Sequence, residues 1–310
     1  MKDIKFEELT YLSADGATQV HAYVWAPVGV QPKGIVQLSH GMCEYVQRYD
    51  AWARRFCNEG YVFCGNDHLG HGNTAANPED LGHIPPNGAS FLVKDLHTLS
   101  ALMRERYPEL PLVLYGHSMG SFVARLYLSE YGNELSAALI SGTAGPGQPT
   151  AAGKLLARAV GRVKGERHRS KLLTAIAFGS YNKHFADEKD TFSWLTRDKS
   201  VRETYAKERF CTFVFDTSAY QTLFELLGRV SAKAWVDTVP KDLPILLFAG
   251  DQDPVGAYGR GVKAVSERLE KAGCSVMLRL YKDGRHEMHN ETNADEVFAD
   301  LMAYLKETIL

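Results

Sequence analysis

Cysteine is scarce in this chain and poorly arranged for bridging. The five present, Cys43, Cys57, Cys64, Cys211 and Cys274, form an odd set without a close C-x-x-C pair, which argues against a disulfide framework and against a zinc knuckle. They are expected to be reduced thiols, mostly buried. Long apolar runs are missing as well. None approaches the roughly 18 residues that a membrane span needs, and the opening MKDIKFEELT is charged where a secretory signal would be apolar. A soluble, cytoplasmic protein is the expectation. Charge of one sign is also lacking: 35 Lys and Arg face 37 Asp and Glu, so no overall field would draw the molecule to nucleic acid. No internal repeat or low-complexity tract is visible. What remains is a chain of 310 residues with 45% apolar content, enough for a full core built as one large domain with an insertion or as two domains.

Alternating apolar and polar residues at 6–12 and 19–25 flank Asp15 and Gly16, a strong hairpin signal, so the chain should open with two antiparallel strands. From Gly34 the pattern changes. GIVQLSH, YVFCGND, PLVLYGH and AALISGT are short apolar runs, separated by helical periodicity at 45–59, 91–106 and 119–131. Strands alternating with helices imply an α/β class, with a mostly parallel twisted sheet flanked by helices. The alternation stops after Thr143. Residues 144–236 hold helical stretches such as AGKLLARAVGRVKG and AYQTLFELLGRVS without a clear strand, and then PILLFAG, a helix at 259–272, SVMLRLY and a terminal helix at 294–305 resume it. The expected organisation is a core of residues 1–143 and 237–310 with a helical cap inserted at 144–236.

Ligands of an open parallel sheet gather beyond the carboxyl ends of its strands, so the residues just after each strand belong on one list. After GIVQLS come His40, Gly41 and Met42; after YVFCGN, Asp67, His68 and His71; after LVLYG, Ser118; after ILLFAG, Asp251 and Asp253; after VMLRLY, His286. Ser118 sits in Gly116-His117-Ser118-Met119-Gly120. That is either a tight turn with a helix-capping serine or a nucleophile elbow, in which the flanking glycines allow close strand-to-helix packing. A serine, an acid and a histidine following in that chain order favour the elbow of an α/β-hydrolase fold. A serine hydroxyl is a poor nucleophile until a neutral imidazole takes its proton and a carboxylate fixes the imidazole's tautomer. The tetrahedral intermediate then needs donors, in this fold the amide after the nucleophile and one after the third strand, here Met119 and Met42. Backbone donation leaves their side chains free to be methionine.

HGMCEYVQRY (40–49), NDHLGHGNT (66–74), GHSMGS (116–121), AGDQDPV (249–255) and GRHEMHNE (284–291) together resemble the monoacylglycerol lipase and lysophospholipase group of serine α/β hydrolases. The resemblance implies carboxylester hydrolysis of acyl glycerols or related lipids, with no metal and no organic cofactor. It places the acid three residues after Gly250, at Asp253, leaving Asp251 to hydrogen-bond the loop. The base falls two residues after Gly284, at His286, leaving His289 as a neighbour. It also makes the D-H-x-G-H-G loop structural, although Asp67, His68, His71 and His83 invite a metal. His286-Glu287-Met288-His289 is one residue short of an H-E-x-x-H zinc motif. His40 reads as a loop-ordering partner.

The early cap is basic, with Lys154, Arg158, Arg162, Lys164, Arg167, Arg169 and Lys171 against Glu166. Leu156, Ala159, Val160 and Val163 at helical spacing make it amphipathic, either packed on the cap or able to meet a lipid surface transiently. The expected function is a serine esterase acting on monoacylglycerols or similar single-chain esters, its partner a small acyl ester. The alternatives are a lysophospholipase, a short-chain or aromatic carboxylesterase, and a proline-type aminopeptidase, for which acidic residues over the pocket would be expected. A hydrolase-fold binding protein would commonly lack a triad member. Because triad and oxyanion donors all fall in the core, some hydrolysis of short esters is expected to survive replacement of the cap by a linker. Cys43, next to Met42, is a candidate site of thiol inhibition.

Overall fold

The computed structural model describes residues 3–309, and, outside the segment between the sixth and seventh strands, strand and helix alternate as expected. β1 (Ile4–Leu12) and β2 (Gln19–Pro27) pair antiparallel, and the Asp15 carboxylate closes their turn by accepting the N–H groups of Ala17 and Thr18 at 2.8 Å. β3 (Ile35–Ser39), β4 (Val62–Asn66), β5 (Leu112–His117), β6 (Ala137–Ser141) and β7 (Ile245–Gly250) consist wholly of buried residues. Continuous apolar runs of this kind belong to strands covered on both faces. β8 (Val276–Tyr281) closes the far edge and alternates in exposure instead. The sheet order is β1-β2-β4-β3-β5-β6-β7-β8, with β3 to β8 mutually parallel. The chain therefore leaves β3 in one direction to β4 and, after β4, crosses back to β5. The reversal opens a crevice at the carboxyl ends of β3 and β5.

A 3₁₀ turn, Val46–Tyr49, leads into α1 (Asp50–Asn58), so the helix expected from residue 45 starts later. The cause is local: Tyr45 is extended, so helical backbone begins only at Val46, whose orphan N–H donates to the Asp67 carboxylate at 2.9 Å. α2 (Gly88–Arg106) and α3 (Met119–Tyr131) follow β4 and β5. Between β6 and β7 lie α4 (Thr150–Lys164), α5 (Lys171–Phe178), α6 (Lys199–Lys207) and α7 (Thr217–Ser231), with no strand among the described residues. α8 (Arg260–Lys271) and α9 (Ala294–Ile309) complete the chain. Phe56 of α1 and Val297 and Leu301 of α9 cover one face of the sheet, while Leu92, Val123 and Val262 of α2, α3 and α8 cover the other.

The insertion packs differently from its hydropathy. α4 turns Gly153, Ala157 and Gly161 inward with Leu156 half-buried beside them, while Ala159 and Val163 of the expected row face solvent, Val163 being 82% exposed. Small side chains let α4 approach α7 closely: a Cβ on Gly153 would stand 2.7 Å from the Phe224 ring. The base of the insertion is held by Arg125 of α3, which is buried. Its guanidinium donates to Thr143 Oγ1 and the Ala144 carbonyl, at 3.3 and 3.0 Å, and to the Val230 carbonyl at 2.7 Å, with the Trp235 ring 4.4 Å away.

Candidate active site

Ser118 ends β5 and begins α3 with φ 53° and ψ −122°, a conformation that costs a non-glycine residue of order 1–3 kcal/mol and persists only where the surroundings enforce it. Its own N–H donates to the Ser141 carbonyl of β6 at 3.0 Å. The flanking glycines are needed for space. A Cβ on Gly116 would lie 2.6 Å from that of Ala124, and one on Gly120 would lie 2.0 Å from the Ser39 carbonyl oxygen. The elbow is thus wedged between β3 and α3, with the serine only half-buried at the carboxyl end of the sheet.

Asp253 and His286 come together behind it. His286 Nδ1 lies 3.0 Å from both carboxylate oxygens of Asp253, and both side chains are buried. Nδ1 therefore carries the proton and Nε2 the lone pair. Burial alone would lower the imidazole's pKa, but the Asp253 charge and hydrogen bond raise it above the usual value. Asp251 is placed elsewhere. Its Oδ1 accepts the Asp283 N–H at 2.9 Å and the Gln252 amide at 3.0 Å, tying the two loops together. Ser118 and His286 line the same cavity, without a hydrogen bond between them. Met42, in the turn after β3, and Met119, at the first position of α3, also line the crevice. Among the described residues neither amide N–H is spent on a protein acceptor.

The turn that carries Met42 is held by a buried network. The Glu44 carboxylate accepts the Gly41 N–H and the Tyr49 hydroxyl, and Arg48 bridges Glu44 at 2.7 Å and Glu287 at 2.9 Å. Burial pushes the Glu44 carboxyl upward, partly opposed by Arg48, while Arg48 holds Glu287 below the usual range despite its burial. One guanidinium thus links the loop after β3 to the residue after His286. The histidines of the neighbouring loop are structural too. His40 donates from Nδ1 to the Gly41 carbonyl at 2.8 Å and accepts the His68 N–H on Nε2 at 3.0 Å. That is the bonding of a neutral ring, and burial keeps the His40 pKa low. The Asp67 carboxylate accepts from Val46 and Asn73, and the His71 ring from Nδ1 donates to Leu69. His289 stacks on Tyr49 at 4.3 Å and is buried.

Two cavities meet at Ser118. The smaller, about 390 Å³, is lined by Met119, Phe122, Leu156, Leu223, Phe224 and Leu227. The larger, about 680 Å³, includes His286, Tyr205, Phe213 and, toward solvent, Arg169 and Lys171. Trp194 of the insertion borders both. A strained serine at the switch point of a doubly wound sheet, backed by a buried histidine and carboxylate, defines a serine hydrolase of the α/β-hydrolase class. Residues 30–293 match the family described as serine aminopeptidase, S33, and the chain belongs to that family.

Among its relatives is a monoacylglycerol lipase of Mycolicibacterium smegmatis, 28% identical over 94% of both chains. A monoglyceride lipase of Rattus norvegicus is 25% identical over 94% of this chain and 87% of its own. A highly thermostable carboxyl esterase from Bacillus coagulans superposes with a TM-score of 0.93 at 30% identity, covering 98% of this chain and 99% of that one. With those relatives the chain is a serine carboxylester hydrolase similar to the monoacylglycerol lipases.

Proposed function

We propose that the enzyme cleaves monoacylglycerols or similar single-chain lipid esters through Ser118, His286 and Asp253 and an acyl-enzyme. The observation that carries the reading is the pair of apolar cavities meeting at Ser118, of which only the larger is lined by His286. His286 Nε2 takes the Ser118 proton as Oγ attacks the ester carbonyl. Asp253 keeps Nδ1 protonated and stabilises the imidazolium. The Met42 and Met119 amides receive the oxyanion. Nε2 then returns its proton to the departing alcohol oxygen, so the alcohol must leave on the His286 side and the acyl chain occupies the smaller cavity. Water activated by the same imidazole releases the fatty acid. Residues 144–236 act as the cap that roofs both cavities. The relatives named as monoacylglycerol and monoglyceride lipases support a glycerol ester, while the family description keeps peptide hydrolysis as the second reading.

Ser118→Ala should abolish labelling by a fluorophosphonate and lower turnover by several orders of magnitude, and mass spectrometry should place the wild-type adduct on Ser118. Monoacylglycerols should be cleaved faster than prolyl anilides. An adduct elsewhere, or a preference for the anilide, would refute the respective part. The cap also presents exposed residues that fit transient contact with a lipid layer: Leu155 and Val163 on α4 and Leu172 on α5 are exposed, as are Arg158, Arg162 and Lys164 of α4. Sedimentation with anionic vesicles should fall for Val163→Glu with Leu172→Glu.

A further inference from the structure

The cap touches both loops on which this chemistry depends. Against the histidine loop, the Trp194 and Leu195 carbonyls accept the N–H groups of His286 and Glu287, at 3.4 and 2.7 Å. Thr196 Oγ1 donates to the Asn290 carbonyl at 2.8 Å. Arg197 pairs at 2.9 Å with Glu291, which also accepts the Arg285 N–H at 2.9 Å. Arg285 in turn reaches the Ser193 carbonyl at 2.5 Å and pairs with Glu188. The Trp194 indole lies 5.0 Å from the His286 ring at a tilt of 39°, braced by Tyr181 at 4.9 Å.

Against the loop after β3, the Tyr205 hydroxyl donates to the Cys43 carbonyl at 2.8 Å and the Cys43 thiol to the Phe213 carbonyl at 3.3 Å. Cys43 has φ 55°, a conformation that a non-glycine residue holds only where its neighbours impose it. The turn presenting the Met42 amide is therefore fixed from the cap side as well as by Glu44.

We propose that Trp194 and Tyr205 are positioning residues, through which the cap holds His286 and the Met42 amide in register with Ser118. Turnover then requires a docked cap even for a substrate too small to reach it. This departs from the expectation that a cap-deleted core would keep hydrolysing short esters. The core supplies the reacting groups, but the cap supplies several of the bonds that fix where they sit. The inference rests on the assignment of Ser118, His286 and Met42 made above.

The test uses the full chain, with Trp194→Ala, Trp194→Phe and Tyr205→Phe beside wild type. kcat and KM are measured on p-nitrophenyl acetate, together with the rate of phosphonylation by a short-chain fluorophosphonate and the Tm. Misplacement of a reacting group by about 1 Å costs up to about a hundredfold, so kcat and the labelling rate should fall about tenfold or more in Trp194→Ala and about fivefold in Tyr205→Phe. KM for the acetate should change less than about twofold, Trp194→Phe should recover most of the loss, and the Tm of each variant should stay well above the assay temperature, which excludes a smaller folded fraction as the cause of the lower kcat. Tyr205→Phe removes a single oxygen and carries the test alone if Trp194→Ala does not fold. Unchanged kcat and labelling in the folded variants, with losses confined to KM for long-chain esters, would overturn the proposal. Wild type labelled at Ser118 keeps the underlying assignment intact in that event, whereas wild type labelled elsewhere overturns both.

Discussion

Assignment of the acyl chain to the smaller cavity can be tested by filling it. Leu223 projects from α7 into that cavity among Phe122, Leu156 and Phe224, and is 6% exposed. Each methylene buried there contributes up to about 0.8 kcal/mol, or roughly fourfold in kcat/KM. In wild type the rate on p-nitrophenyl esters should climb by up to that factor per carbon and then level off. An indole in place of the isobutyl group of Leu223→Trp that displaces about two methylenes should remove about 1.6 kcal/mol, roughly fifteenfold, from the longest esters. Acetate should be nearly unaffected. Crowding the cavity also costs stability, of order 1–3 kcal/mol. A loss of folded fraction scales every substrate equally, so the ratio of long to short esters within one variant isolates the cavity. Thr212→Trp, in the larger cavity, should leave the acyl profile alone and reduce rates for bulky alcohols. The reverse, a profile truncated by Thr212→Trp and untouched by Leu223→Trp, would refute the placement and with it the argument from the side on which His286 stands.

Asp253→Asn should preserve the fold and lower kcat by on the order of 10⁴, because the imidazole loses the partner that fixes its tautomer; Asp251→Asn, which loses only loop hydrogen bonds, should cost far less, and equal losses in steady-state kinetics would contradict the geometry. Since Asp253 raises the His286 pKa above 6.5 in opposition to burial, kcat/KM should be full at alkaline pH and fall as pH drops through a midpoint above that value. For the residual activity of Asp253→Asn the midpoint should move down, and a wild-type acid limb centred well below 6.5 would show the sign to be wrong. Cys43 should react slowly with iodoacetamide at neutral pH. Desolvation pushes its thiol well above the usual range, and the thiolate is the reactive form. Fast labelling of Cys43, read by peptide mapping, would count against that account.

Local signals carried most of the fold. α3 occupies the expected 119–131 because Gly116 and Gly120 fix its entry, and the parallel interior strands are short, mostly apolar runs that stand out from the helical periodicity around them. Strand ends and chain order narrowed the acid to Asp251 or Asp253 and set a histidine on the last strand-end loop, and the family resemblance, not the pattern, singled out Asp253 and His286. The buttresses were not. Arg48 meets Glu287 across 239 residues and Tyr205 meets Cys43 across 162, and no periodicity links partners that only the tertiary fold brings together. Trp194 sits in a stretch without a motif, so an aromatic there reads as packing. The buried face of α4 was misread for a different reason. Gly153, Ala157 and Gly161 carry almost no hydropathic signal, and close approach to α7, not apolar area, selects them.

Arg125 sets where such a structure could bend. A guanidinium sealed in the interior keeps its hydrogen-bonding partners or loses stability, since an uncompensated buried charge is among the costliest defects available. Its partners are the carbonyls of Ala144 and Val230, on the outgoing and returning strokes of the chain. Those two points are consequently clamped to each other and to α3, the helix that follows Ser118. Any breathing that admits a substrate has its fulcrum farther out, in α4 and α5, because residues 193–205 are bonded to the histidine loop and the Cys43 turn. The root of the insertion travels with the nucleophile, and only the canopy is free to part.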